Sequence, residues 1–300
     1  MKYNPEADFK ALVLRMLEHI PYIKDLVKRL RRDPYLRSAC GYGDCVPTEA
    51  HFSQMKRRLG KKGFMAIERF LRSEVVRLKG SNPLLAAGLV QASAVDSTDL
   101  EAWSSRDPRD STRGLGDPEA RVGMGPEGYY LGYRSLFLVD MEGLPLGHVE
   151  APANVNDKRL VEKLLEEALG EEMEVELIAG DSQFESQPLF AVLEEKKIAH
   201  VIPWRRLRRR SIPAEELTVK GRIDVEGPEW KRLVYKRLRA KVEGYIARVK
   251  ARLHYHQFTW KGLENAGIHN SLTFSLVYAV AIAAHRIGKP ELARSIAYFA

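Results

Sequence analysis

Cysteine is scarce in this chain of 300 residues, which contains only Cys40 and Cys45. Two cysteines so close together do not make a disulfide framework, so a reducing cytosolic compartment is expected. Together with His51 they offer three zinc ligands, but a structural zinc site needs four and no fourth is in view. Zinc is therefore the weaker interpretation of this segment.

Long hydrophobic runs are also missing. The longest, within residues 272–284, is shorter than the roughly 20 apolar residues that span a bilayer, and it predicts a buried helix. The first eight residues are polar and acidic, unlike a signal peptide. Hydrophobic residues make up 45% and charged residues 29% of the chain, as in ordinary globular proteins. We expect a cytoplasmic protein with no membrane partner.

Charge is present in excess, with a net value of +8, and it is unevenly distributed. Residues 1–93 carry 18 Lys and Arg against 9 Asp and Glu, and residues 186–300 carry 22 against 10. Residues 94–185 carry 8 against 21. Basic flanks around an acidic middle favour a nucleic-acid-binding protein whose central carboxylates hold divalent metal. Solvated helix surfaces are the simpler alternative for the flanks.

Helical periodicity extends over residues 7–79, and the glycine- and proline-bearing stretch at 80–83 predicts a domain boundary. We therefore predict an all-α N-terminal domain over residues 1–83. A short helix, a turn with glycines and a helix beginning after Thr48 are compatible with a helix-turn-helix, although many helical pairs fit that pattern. The predicted DNA contacts of this domain are Lys56, Arg57 and Arg58.

After residue 83 the pattern becomes that of a mixed α/β domain, predicted over residues 84–300. Strands are predicted at 89–98, 129–140, 145–151, 175–181 and 200–203, with a long loop at 104–126. Helices are predicted at 158–170, 189–196, 235–253 and 271–286. Residues 204–229 are expected to form a basic insertion in which Arg205 and Arg206 contact DNA phosphates.

Three acids stand out in this domain. Asp96 and Asp181 each lie at the C-terminal end of a predicted strand. Glu243 is the one carboxylate on its face of helix 235–253, whose charged residues are otherwise Arg and Lys. Leu238, Val242 and Val249 of the same helix are expected to pack on the sheet. Oxygen ligands of this kind suit Mg²⁺ or Mn²⁺, and two such ions can hold both oxygens of an in-line phosphodiester displacement. The alternatives are helix or turn caps for the aspartates and an exposed salt bridge for the glutamate.

Several blocks of sequence resemble the insertion-sequence DDE transposases, enzymes with a ribonuclease H-like core that cut and rejoin DNA. In chain order they are Gly41 with Val46-Pro-Thr48 and Phe52, Asp96-Ser-Thr-Asp99, Asp117-Pro-Glu-Ala120, Tyr130-Leu-Gly-Tyr-Arg134, Pro152-Ala-Asn154 with Asp157, Gly180-Asp-Ser-Gln-Phe-Glu185 and Val201-Ile-Pro203. Arg239, Glu243 and Lys250 match the signature of Arg, three residues, Glu, six residues and Lys. Tyr235 is one position too early for the tyrosine of that signature.

The resemblance implies a ribonuclease H-like mixed sheet flanked by helices, with Asp96, Asp181 and Glu243 as catalytic metal ligands for Mg²⁺ or Mn²⁺. It implies DNA contacts by Arg239 and Lys250, and a DNA transposase that uses two-metal-ion phosphoryl transfer. The expected partners are double-stranded DNA, at the terminal inverted repeats of the element and at the target, and a second copy of the chain. Another ribonuclease H-like nuclease and a non-catalytic DNA-binding descendant remain as alternatives.

Overall fold

The computed structural model describes residues 3–80, 92–168, 175–203, 229–256 and 258–299. The domain boundary predicted at residues 80–83 falls almost wholly outside these ranges. The predicted basic insertion, with Arg205 and Arg206, lies outside the described residues as well.

Four helices form the N-terminal region: α1 (Pro5–Leu17), α2 (Ile23–Arg32), α3 (Pro34–Cys40) and α4 (Glu49–Gly80). Asn4 caps α1 and Asp33 caps α3 through side-chain oxygens that accept backbone N–H groups, as those residue types favour. The helix predicted to begin after Thr48 is the first part of α4, which kinks at Gly60 and continues to Gly80. The φ of +56° at Gly60 is a left-handed conformation that glycine adopts at no steric cost.

Eight strands form one mixed sheet. They are β1 (Ala92–Glu101), β2 (Arg106–Asp107), β3 (Asp110–Gly114), β4 (Arg121–Gly125), β5 (Gly128–Asp140), β6 (Pro145–Pro152), β7 (Leu177–Ala179) and β8 (Ala199–Val201). The strand order is β2-β3-β4-β5-β1-β7-β8, and β6 also pairs with β5. β5 is antiparallel to β1 and β6, whereas β7 is parallel to β1 and β8. The core order β6-β5-β1-β7-β8 confirms the predicted ribonuclease H-like fold.

The long loop predicted at residues 104–126 was wrong in detail, because β2, β3 and β4 lie inside it. These strands are short and rich in charge and glycine, so they lack the alternating apolar pattern that marks a half-buried strand. Pairing with β5 holds β4 in the sheet, with Val122 opposite Leu131.

Helices cover both faces of the sheet: α5 (Leu160–Ala168), α6 (Gln187–Glu195), α7 (Glu229–Leu253) and α8 (Leu263–Arg286), followed by the short α9 (Ile296–Phe299). Successive strand residues point to opposite faces. Ala94 and Phe137 therefore face one apolar cluster with α4, α7 and α8, while Val95 and Leu138 face another with α5 and α6. The predicted packing of α7 on the sheet through Leu238, Val242 and Val249 is confirmed, since all three are buried.

Helix α8 is apolar and long enough to cross a membrane, yet 83% of its most apolar window is buried inside the fold. It packs against α4 and β6, as a core helix does. Its first turn is held by carboxylates from the segment between β3 and β4. Asp117 accepts the N–H of Gly262 at 3.1 Å and Glu119 accepts that of Leu263 at 3.0 Å. These acids satisfy two of the N–H groups that a helix start leaves without partners.

A buried polar network joins α4 to the sheet. His148 on β6 donates from Nε2 to Glu68 of α4 at 2.9 Å and from Nδ1 to Glu150. Lys61 of α4 forms a 2.9 Å ion pair with Glu150, and Asn270 of α8 donates to the same carboxylate at 2.7 Å. Burial by itself lowers the pKa of His148, but the charges of Glu150 and Glu68 outweigh it and raise that pKa to about 10. The imidazole is therefore a buried cation at neutral pH.

We expect this network to make stability fall at alkaline pH. A histidine with a raised folded pKa stabilises the fold fully below its unfolded pKa of roughly 6.5 and loses that contribution as the pH rises through about 10. His148→Gln should cost about 3–5 kcal/mol of unfolding free energy near pH 6.5, because it leaves buried carboxylates unpaired, and clearly less at pH 10. Urea denaturation at both pH values measures the difference. The exposed His256→Gln is the control, and a cost for His148→Gln that does not shrink with pH would contradict the charged imidazole.

Candidate active site

Asp96 and Asp181 are brought side by side by the pairing of two parallel strands. Ala94 of β1 pairs with Ala179 of β7, and each aspartate lies two residues further along its chain. The strand end predicted at Asp96 was wrong, because β1 continues to Glu101, whereas Asp181 does follow β7. Gly180 lies between β7 and Asp181 in a crowded place. A Cβ added there would lie 3.1 Å from the Phe184 side chain and 3.3 Å from that of Val95, so glycine permits the close approach.

Asp181 also caps the turn that follows it. Its Oδ1 accepts the N–H of Gln183 at 2.8 Å at the start of the 3₁₀ turn Ser182–Phe184. The capping role that the sequence left as an alternative is therefore present. It is compatible with a second role, since one carboxylate oxygen is engaged and the side chain is half-exposed.

Glu243 reaches the same place from α7, which packs along β1. Its side chain is 58% exposed, whereas Val242 beside it is buried in the core. The predicted division of α7 into a packing face and a polar face is confirmed by this pair.

Arg239 lies between two of the acids. Its Nη2 is 3.1 Å from Asp96 Oδ2 and 2.8 Å from Glu243 Oε1, and its Nη1 donates to the carbonyl of Val95 at 3.3 Å. The sequence offered Glu243 either a salt bridge with a neighbouring arginine or a role in metal binding. The salt bridge is present, and it extends to Asp96 on another element, which links α7 to β1.

The charges around Asp96 act against one another. Burial, chiefly, raises the pKa of Asp96, and the nearby charge of Asp181 adds to that, while Arg239 and the N–H of Ser97 lower it. Burial raises the pKa of Tyr235, and the charges of all three acids act on it as well. Tyr235 is therefore within electrostatic range of the three acids although its spacing departs from the signature.

Comparison with known protein families decides what this arrangement belongs to. The family model described as "Transposase DDE domain" matches residues 90–278, which include all three acids and most of the described sheet. The chain belongs to the DDE transposase family. No curated protein matches the sequence. The predicted resemblance is confirmed over the matched residues, and helices α1 to α4 precede them.

A network of hydrogen bonds and ion pairs in the DDE domain surrounds Asp96. Ser97 donates to Asp157 at 2.7 Å, and Arg134 donates to the other oxygen of Asp157 at 3.1 Å. Arg134 also lies 3.7 Å from Asp99. Asp99, Arg134 and Asp157 each belong to a block that resembles the family, but neither periodicity nor charge indicated their roles. The structure shows that they form a side-chain network with Ser97, the residue after Asp96.

The three acids of the DDE domain are of the residue type that binds divalent metal ions. Members of the family generally use one, and three carboxylates from β1, the end of β7 and α7 are the hard oxygen donors that such ions prefer. The Arg239 guanidinium contacts two of these carboxylates, so the site already accommodates a cation. Among the described residues, no three Asp, Glu, His or Cys side chains are grouped at metal-ligand distances. The zinc interpretation fails, since Cys40 is buried, Cys45 is exposed and His51 pairs with Asp8.

The predicted DNA contacts lie in different surroundings. Lys250 is two helical turns beyond Glu243 and lines a cavity of about 620 Å³ with Glu101 and Tyr130. Arg57 and Arg58 are exposed on α4. Lys56 is half-buried with its Nζ 3.8 Å from the centre of the Trp260 ring. Burial, with the charge of Arg15, lowers the pKa of Lys56 to about 8.

Asp96→Asn is expected to raise the free energy of unfolding at neutral pH. Burial raises the pKa of Asp96 in the folded protein above its ordinary value of 3.8. Above that pH the ionised carboxylate therefore lowers the free energy of unfolding, and the uncharged amide of asparagine removes this penalty. The gain should vanish as the pH falls below the unfolded value. Asp110→Asn is the control with the opposite sign, because hydrogen bonds from Thr112 lower the pKa of Asp110. Denaturant titrations at pH 7 and pH 3 measure both, and a loss of stability in Asp96→Asn at pH 7 would contradict the burial cost.

Proposed function

We propose that this chain is a DNA transposase that cleaves DNA strands at the ends of an element and transfers them into target DNA. The observation that carries the proposal is that Arg239 bridges Asp96 and Glu243, within a domain of the DDE family. The charge of Asp181 acts on both Asp96 and Arg239. The three acids come from separate elements, with Asp96 on β1, Asp181 after β7 and Glu243 on α7.

The three acids are proposed to hold Mg²⁺ or Mn²⁺. Bound ions would supply stabilisation of the negative charge that develops on a phosphodiester, in a two-metal-ion phosphoryl transfer. The chain itself positions the reactants. Asp96 is fixed by the sheet and by the N–H of Ser97, Asp181 by its own turn, and Glu243 by α7.

DNA binding is proposed for the cations around this centre and beyond it. Lys250 lies on the same helix as Glu243, about 10 Å further along at 1.5 Å rise per residue, which places it to contact a neighbouring phosphate. Arg239 is proposed to reach a phosphate by exchanging its carboxylate partners. We propose an N-terminal DNA-binding domain over residues 1–83. Its proposed DNA contacts are Arg57 and Arg58, with a smaller contribution from Lys56. Arg205 and Arg206 are proposed contacts outside the described residues.

The proposed partners are double-stranded DNA and a second copy of the chain, because two element ends must be processed together. The proposed setting is the cytoplasm, in association with the nucleoid. Two other functions fit the family. A ribonuclease H-like nuclease would cleave without joining strands, and a non-catalytic descendant would bind DNA without cleaving it.

Substitution of each acid tests the catalytic assignment. Asp96→Asn, Asp181→Asn and Glu243→Gln should each lower metal-dependent cleavage at least about 100-fold, more than the loss of an outer partner of a metal site usually costs. The assay uses a duplex bearing the DNA that borders the gene, with Mg²⁺ or Mn²⁺. The exposed Glu166→Gln is the matched control.

Cleavage that survives undiminished in one of the three variants removes that residue from the site. Products in which the end of the duplex is covalently joined to a second DNA are expected of the transposase. Cleavage without such products supports the nuclease, and no cleavage by the wild type supports the non-catalytic protein.

Arg239 should compete with the metal for the acids. In the absence of DNA its guanidinium holds Asp96 and Glu243, so Arg239→Gln is expected to bind Mn²⁺ about tenfold more tightly than the wild type, as removal of a like charge predicts. Lys250→Gln is the matched control, since no carboxylate of the described residues lies within salt-bridge distance of Lys250. Calorimetric titration with Mn²⁺ measures the affinities. Equal or weaker binding by Arg239→Gln would show that the arginine organises the acids and does not oppose the ion.

A further inference from the structure

A second group of cations lies on the side of α7 that is turned away from Glu243. Successive residues of a helix are about 100° apart, so Lys241 is about 200° around α7 from Glu243. Arg237 and Arg248 lie on the same side as Lys241, one turn before it and two turns after it. Arg294, in the segment between α8 and α9, is the fourth cation. We call Arg237, Lys241, Arg248 and Arg294 the outer patch.

The turn between β5 and β6 brings side chains of the outer patch together. Arg248 donates from Nη2 to the carbonyl of Gly143 in this turn at 2.9 Å and from Nη1 to the carbonyl of Arg294 at 3.3 Å. A Cβ added at Gly143 would lie 3.5 Å from Arg294 Nη1 and 3.7 Å from Lys241 Cδ, so both side chains lie close to the glycine. Cations from α7 and from the C-terminal segment therefore meet at one place on the surface.

The acids of this turn are already engaged by a buried lysine. Lys79 of α4 has its Nζ 2.6 Å from Glu142 and 4.0 Å from the buried Asp140. Asp140 also accepts two backbone N–H groups of the turn, each at 2.8 Å. The remaining acid close by in sequence is the exposed Glu291, in the turn before α9. With Lys79 counted beside the four residues of the outer patch, five cations are set against three acids.

The charges of the outer patch repel one another. Burial, chiefly, lowers the pKa of Lys241, and the charges of Arg294 and Arg237 lower it further. The charges of Asp140 and Glu142 act in the opposite direction but are outweighed. No carboxylate of the described residues lies within salt-bridge distance of any of the four cations. An anionic ligand would relieve the repulsion, and the patch therefore has the charge that a polyanion requires.

The outer patch has a form that suits a duplex. Arg237, Lys241 and Arg248 extend along about 17 Å of α7, at about 1.5 Å rise per residue. Each strand of a duplex carries one phosphate for roughly every 3.4 Å of the axis, so cations over this length span about five base pairs. The patch contains no aromatic ring on which unpaired bases could stack. Its side chains are guanidinium and ammonium groups, which contact phosphate oxygens.

We propose that the outer patch binds the phosphate backbone of a duplex DNA segment other than the one at the catalytic acids, an inference that rests on the proposed function. A duplex that lies along the Glu243 side of α7 does not cover Lys241, since the two residues are about 200° apart around the helix. Arg237, Lys241 and Arg294 contact phosphates, and the half-buried Arg248 holds the turn and Arg294 in place. Arg294 follows residues 90–278, so the matched DDE domain does not supply this contact.

The test measures the binding of a fluorescently labelled duplex of about 20 base pairs to the whole chain by anisotropy, with EDTA so that no cleavage occurs. A variant that combines Arg237→Gln, Lys241→Gln and Arg294→Gln should bind at least about tenfold more weakly than the wild type. The slope of log affinity against log salt concentration should become shallower by about 2 to 3, since each lost phosphate contact removes about 0.9. The loss should be equal for duplexes of different sequence, because phosphate contacts do not read bases.

The matched control combines Arg109→Gln, Lys163→Gln and Lys196→Gln, which remove the same charge from exposed positions after β2, on α5 and at the end of α6. It should bind the duplex within about twofold of the wild type. A variant that exchanges Arg for Lys and Lys for Arg at the three tested positions of the outer patch should do the same, because it keeps the charge. Equal losses in the patch variant and the control, or duplex binding that the patch substitutions leave unchanged, would overturn the proposal.

Polyglutamate is the second ligand in the same assay. If the patch substitutions weaken polyglutamate binding and leave duplex binding unchanged, the outer patch docks an acidic protein and the proposal is wrong. The result is separable from the proposed function. Patch substitutions without effect, in a protein whose wild type cleaves DNA, overturn this inference alone. A wild type that does not cleave DNA, but loses duplex binding with the patch substitutions, retains the inference and refutes the catalytic function.

Discussion

The contact of one guanidinium with two carboxylates is the constraint on which the candidate site depends. Asp96 and Glu243 arrive from a strand and a helix that are more than a hundred residues apart in sequence, and Arg239 bonds both. Acids held close together repel one another, and burial further penalises the charge on Asp96. The charge of Arg239 lowers the pKa of Asp96, although burial outweighs it. The bond of Arg239 to the carbonyl of Val95 fixes the arginine to the sheet, so that the helix and the strand keep one relative position.

The main strands and the long helices could be predicted because the sequence patterns that produce them are local. Apolar spacing located β5, β6, α7 and α8. The end of a strand located Asp181, but Asp96 lies inside β1, which continues to Glu101. The interpretation of Glu243 needed the spacing to Arg239 and Lys250. By contrast, β2, β3 and β4 were missed because short, charged strands depend on pairing with a neighbour that no local pattern reveals.

Contacts between residues that are distant in sequence could not be predicted either. Glu68, His148 and Glu150 are separated along the chain, and only the fold makes them one buried network with Lys61. The same holds for Asp117 and Glu119, whose block resembled the family without an evident role until the start of α8 was found against them. Lys56 resembled its neighbours Arg57 and Arg58 as a surface cation, yet it stacks on Trp260. Periodicity could not distinguish them, because the partner lies two hundred residues away.

The kink at Gly60 has a consequence for the geometry of the proposed DNA complex. The half of α4 before the kink is held by the buried Phe52 and by Lys56 on Trp260, and the half after it by Glu68 on His148. Neither half is free to swing about the glycine. The backbone positions of Arg58 and Lys250 therefore keep one separation, and DNA that contacts both residues must present phosphates at matching positions. A duplex turns about once every 10.5 base pairs, so inserting or deleting a few base pairs between those phosphates rotates one of them away from its cation. The protein would then measure DNA by length and helical phase as well as by sequence.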